Sequence, residues 1–136
     1  MINHQKITQA VKFSLVYEQS GKWKKAERLQ LMVKDYLCAK LGAEHPLSMK
    51  IMLALSGIYW QQTRAKEAAE LQNKVLQACI NSLGLRHPKT LKAMDTLGAT
   101  RCLQGRFKES HELHKNAIEG MMEILGRSEE RRVGKE

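Results

Sequence analysis

Aromatic residues make up only 5% of this 136-residue chain, and proline occurs twice. With leucine, alanine, lysine, glutamate and glutamine plentiful, that composition favours helix and argues against a β-sandwich or an α/β enzyme core. Cysteine is sparse and scattered. Cys38, Cys79 and Cys102 form no CxxC pair and no zinc-type ladder, so they read as reduced core thiols of a cytosolic protein. The opening stretch MINHQKITQAVKFSLVYEQ lacks the apolar segment of a secretory leader, and no run is long enough to span a bilayer. A cytoplasmic chain with no membrane partner is expected.

Acidic residues are also short, 14 against 23 lysines and arginines, for a formal charge of +9. Such a surplus attracts nucleic acid, anionic lipid or an acidic protein without choosing among them. The basic clusters KWKKAER and LRHPKTLK have no interleaved aromatics for base stacking. Electrostatic nucleic-acid binding therefore stands as the alternative function rather than the leading one.

What is present is a repeat. LGAEHPLS begins at Leu41, LGLRHPKT at Leu83 and a last LG at Leu125, each 42 residues after the one before. Tyr17 aligns with Tyr59, Gly21 with Gly105, Ala26 with Ala68, and Phe13 with Leu55 and Leu97. Three units result, at about 5–46, 47–88 and 89–126. In the middle one, Met52, Leu55, Ser56 and Tyr59 share one helical face, and Ala68, Leu71, Val75, Cys79 and Ser82 another. Gly21 and Gly105 suit a left-handed helix end, whereas Thr63 at the same place does not. Gly42 and Gly84 follow the second helices, Pro46 and Pro88 begin the next, and Ser48 and Thr90 fit a helix start. Small residues at Ser14, Ser56 and Gly98, and at Ala26, Ala68 and Ser110, allow paired helices to approach closely.

The stretch LGLRHPKTLKAMDTLGATRCLQGRFKESHEL resembles the tetratricopeptide repeat in its 42-residue form, as in kinesin light chains and many fungal and bacterial NTPase-linked repeat proteins. The resemblance covers about residues 5 to 126. It implies an all-α fold, a right-handed solenoid of three antiparallel helix pairs. This chain departs from the pattern at Arg101, where the family has tyrosine, at Thr63, where it has glycine, and at Asn3 and His4, which replace HP.

Chemistry is hard to find. His111 and His114 are three apart on a predicted helix, but no third ligand accompanies them, and solvated surface histidines are the simpler reading. His45 and His87 recur with the prolines and look like caps or loop packing. Tyr17, Tyr59, Trp23 and Phe107 fall at core or turn positions. With no phosphate loop, nucleophile elbow or paired carboxylates, the chain is not expected to be an enzyme or to hold a metal or cofactor.

A stack of helix pairs offers a groove lined by its first helices, which binds extended or helical peptides. The residues expected there are Lys12, Lys50, Leu53, Ala54, Gly57, Trp60, Lys92, Asp95 and Thr96. Where the family often carries asparagines, this chain has Lys12, Ala54 and Thr96, so that mode of binding is not implied. Lys50 and Lys92 would favour an acidic peptide. A protein-interaction module, part of a larger repeat, scaffold or adaptor protein, is the function expected.

The end of the chain breaks the pattern. Ile118, Met121, Met122, Ile124 and Leu125 form a face suited to cover by a following unit or by self-association. The repeat calls for HP at 129 and 130, but Glu129 and Glu130 stand there. Residues 127–136, RSEERRVGKE, match a translated short-read sequencing adapter, agatcggaagagcgtcgtgtagggaaagag, without a mismatch. A disordered, non-native tail is therefore expected.

Overall fold

The computed structural model describes the backbone of residues 4–135 and the side chains of residues 4–127. Asn3 lies outside the described residues. Six helices are described: α1 (His4–Gln19), α2 (Trp23–Leu41), α3 (Pro46–Gln61), α4 (Ala65–Leu83), α5 (Pro88–Leu103) and α6 (Phe107–Lys135). First helices start at 4, 46 and 88 and second helices at 23, 65 and 107, so both series advance by 42. The described chain divides into two compact units, residues 1–78 and 79–136, with the division inside α4.

Local chemistry fixes the helix starts. Pro46 and Pro88 open α3 and α5, where a missing N–H costs nothing. The residue before each is the cap: His45 Nδ1 accepts from the Leu47 N–H and His87 Nδ1 from the Lys89 N–H, both at 3.1 Å. Ser48 and Thr90, expected to serve the helix start, are instead fully buried, with no hydrogen-bond partner for either hydroxyl. The histidines reach the first-turn amides first, and the hydroxyls face the core.

Within each repeat the same two backbone bonds close the turn between helices. In the first, the Lys22 N–H reaches the Tyr17 carbonyl at 2.8 Å and the Gly21 N–H the Glu18 carbonyl at 3.1 Å. In the second, Arg64 reaches Tyr59 at 2.9 Å and Thr63 reaches Trp60 at 3.0 Å. This geometry needs a positive φ at its centre, which Gly21 (73°) and Gly105 (78°) supply easily. Thr63 is held at 59° all the same. Turn bonding overrides the preference of a β-branched residue.

In the first compact unit α2 packs against α1 and α3, around Ile7, Ala10 and Val33 with Leu29, Tyr36, Leu37 and Ile51. In the second, α5 packs on α6 through Leu91, Met94, Leu97 and Ala117. Ala26 and Ala68 have no exposed surface, and Ser110 has little. Two sequence expectations need correcting. Cys79 is buried and Cys38 half-buried, but Cys102 is exposed, so the cysteines are not all core thiols. Phe107 is likewise exposed at the first position of α6, where the equivalent Trp23 and Ala65 are half-buried.

Gly126 does not take the positive φ of Gly42 and Gly84, and α6 continues through it to Lys135. Glutamate and arginine are good helix formers, and no proline interrupts them.

Candidate functional site

In the first unit, the outward faces of the first helices carry an unusual amount of apolar surface. On α3, Leu53, Ala54, Gly57 and Trp60 are all exposed, with Lys50 one turn earlier. Their spacing of three and four puts them on one stripe. Lys12 is exposed on α1, where it is flanked by exposed Val11 and Leu15. Val11 and Leu15 were not anticipated. The 42-residue step was the available signal, since they correspond to Leu53 and Gly57.

Beside this stripe stands a charged node. Glu27 of α2 accepts from Arg64 Nη1 at 2.9 Å and from Gln62 Nε2 at 3.4 Å, and Arg64 also pairs with Glu67. The Arg64 guanidinium lies 4.5 Å from the Tyr59 ring centroid. Burial, reinforced by the Glu27 carboxylate, pushes the Tyr59 hydroxyl above its ordinary pKa. It stays a neutral phenol at physiological pH. The node ties Gln62 and Arg64, just beyond the end of α3, to α2.

In the second unit, Lys92 and Asp95 are exposed and Thr96 half-buried on α5. Lys92 and Asp95 line a groove of about 550 Å³ between α5 and α6, with Leu91, Ala117, Ile118 and Met121 among its walls. The sequence marked Lys92 and Asp95 on α5 and the uncovered face of α6, but not that the two line one groove. That pairing depends on the rotation of α5 about its own axis, which periodicity leaves loose.

Asp95 is tied to α6. Its Oδ1 lies 2.7 Å from His114 Nδ1. The His114 ring also sits over Gly98, its Nε2 only 2.9 Å from where a Cβ would stand. His114 is therefore a packing and hydrogen-bonding residue, while His111 is exposed. Among the described residues, no group of three or more histidines, cysteines or carboxylates is placed to hold a metal.

Residues 47–123 match the family model described as the tetratricopeptide repeat. Among solved structures, the chain resembles the nearly identical tetratricopeptide-like repeats of a Podosopora anserina protein assigned as a kinesin light chain. The TM-score is 0.77 for a single-substitution variant of that protein, at 22% identity over 91% of this chain and 59% of that one. The parent form gives 0.76 at the same identity and coverage. BtubC (BKLC) from P. vanneervenii also gives 0.76, at 14% identity over 87% of this chain and 46% of that one. This chain thus spans about half the length of these solved chains, 46% to 59%. No curated protein matches it. The all-α repeat fold expected from the sequence is the fold these likenesses show.

Proposed function

We propose that this chain, which belongs to the tetratricopeptide repeat family, is a non-catalytic module that binds a protein partner through the exposed faces of its first helices. The observation that carries the reading is the stripe of the first unit. Val11, Leu15, Leu53 and Trp60 expose apolar surface to water next to Lys12 and Lys50. Apolar anchors beside cations suit an acidic amphipathic peptide, whose side chains fill the stripe while its carboxylates meet the lysines. Lys92, Asp95 and Thr96 present the corresponding face of the second unit.

Among the described residues no helix is long and apolar enough to cross a membrane. The three free cysteines accord with a reducing compartment, and we place the module in the cytoplasm. A role as one part of a larger scaffold or adaptor accords with its coverage of the longer solved chains. Nothing in the geometry favours nucleic acid. The same module also offers α6 to a second copy of itself.

Selection from a displayed random-peptide library against the full chain tests the reading. Enriched peptides should alternate apolar and acidic residues and should lose binding to Leu53→Arg and Trp60→Ala variants. Peptides that bind those variants as well as the parent would place the ligand elsewhere. Failure to enrich any sequence would remove the reading.

A further inference from the structure

Gly57 stands inside α3, where glycine is a poor residue for a helix. The backbone does not require it, since the described glycines with a positive φ are Gly21, Gly42, Gly84 and Gly105. Packing within the chain does not require it either. Beyond its chain neighbours and its own helix backbone, nothing lies within 4 Å of where a Cβ would stand. Two other glycines inside helices show how the protein uses such a gap. At Gly98 the missing side chain admits the His114 ring, and at Gly120 it admits the methyl groups of Leu91. The gap at Gly57 opens outward, and no described side chain fills it. Equivalent positions in the other repeats carry Leu15 and Ala99, so only the middle repeat lacks a side chain there. α3 is an internal helix, with α1 and α2 before it and α4 to α6 after it, so its exposed face is no consequence of where the sequence starts or stops.

We propose that Gly57 is the anchor notch of the partner-binding face, where one leucine or phenylalanine side chain of an acidic peptide seats between Leu53 and Trp60. This deepens the peptide-binding reading above and rests on it. Leu53 stands four residues before Gly57 and Trp60 three after, on the same face of α3 and both exposed. The two are therefore about 10 Å apart along the helix axis. With only glycine between them and Ala54 beside it, that spacing admits one large apolar side chain.

The notch selects an apolar occupant. Its walls are apolar, and the helix backbone at its floor already has its hydrogen bonds, so a polar side chain would lose water without replacement. Charge then sets the register. Lys50 is exposed and stands seven residues before Gly57, about 10 Å along the axis, which is the reach of about three residues of extended chain. A carboxylate three residues from the anchor meets Lys50 while the anchor occupies the notch.

Peptides enriched from the displayed library against the full chain are the probe, synthesised with a fluorophore and titrated by polarisation. Gly57→Leu, which gives α3 the residue that α1 carries at this position, should weaken them roughly tenfold or more, and Gly57→Ala by less. Neither variant should lower the melting temperature, and Gly57→Ala should raise it by roughly 2–5 °C. Changing the peptide's leucine or phenylalanine to alanine should weaken binding to the parent by a similar factor but leave binding to Gly57→Leu nearly unchanged, as for groups in contact. Peptides that lose binding to Leu53→Arg and Trp60→Ala, yet bind Gly57→Leu as tightly as the parent, overturn the notch and leave the peptide-binding face standing. A lower melting temperature for Gly57→Ala would mean that the fold itself needs glycine, and overturns the notch as well. If no peptide is enriched, or the enriched peptides ignore all these variants, the notch and the face are both overturned.

Discussion

His114 lies flat against Gly98, its Nε2 2.9 Å from the point a Cβ would occupy. The same two repeat positions hold Ser56 and Gln72 in the middle repeat, where Gln72 Nε2 donates to Ser56 Oγ at 3.5 Å. A serine–glutamine pair has thus become a glycine–histidine pair. The larger ring fits because the facing residue has lost its side chain.

Gly98→Ala should therefore destabilise the chain, although alanine is the better helix former. Moving the ring aside would also break its 2.7 Å bond to Asp95. Overpacking of about 1–3 kcal/mol outweighs a propensity gain of about 0.5–1 kcal/mol. Urea midpoints should fall for the single variant and recover in Gly98→Ser with His114→Gln. An unchanged midpoint for Gly98→Ala would show that the ring moves freely.

Thr63 invites the opposite change. Its φ of 59° is in the region where a β-branched side chain is strained, and the equivalent turns use glycine. Thr63→Gly should stabilise by about 0.5–1 kcal/mol after the extra chain entropy of glycine is counted. Thermal melting measures it, and Gly105→Thr should show a loss of comparable size.

His87 caps α5 by accepting a hydrogen bond from Lys89. Removing that acceptor in His87→Ala should cost about 1 kcal/mol, while His87→Asn, which keeps a side-chain acceptor, should retain most of the stability. If both variants lose equally, imidazole packing rather than capping is what holds this turn.

Glu18 gives a pH-dependent expectation. Burial raises its carboxyl pKa above the usual 4.5, and a hydrogen bond from Gln30 offsets only part of that shift. Folding thus favours the protonated form. The favourable contribution is complete below the unfolded-state pKa and lost as pH rises through the folded one. Glu18→Gln should accordingly gain stability at pH 7 relative to the parent, with the gain vanishing near pH 4. Denaturation midpoints at the two pH values decide it, and a gain of equal size at both would mean the charge is not its source.

The fold was legible in the sequence because its signals are local and recur three times. Pro46 and Pro88 mark helix starts, and Gly21, Gly42, Gly84 and Gly105 mark ends that need a positive φ. Each such constraint acts within a few residues of backbone, so spacing alone exposes it. The exposure of Leu53 and Trp60 was legible for the same reason, as the outward phase of a helix whose inward phase is apolar.

Tertiary structure decided the rest. That Thr63 would adopt the glycine conformation followed from turn bonds shared with its neighbours, not from its own preference. That Ser48 and Thr90 would be buried, while His45 and His87 do the capping, depended on which side chains faced the core. Gly98 and His114 are 16 residues apart on different helices, and the groove needs α5 and α6 together. By itself the sequence determined the period, the helix starts and the outward faces, because backbone chemistry acts along the chain. Which side chains fill or leave open the space between helices came only with the fold, because helix rotation and packing set those distances.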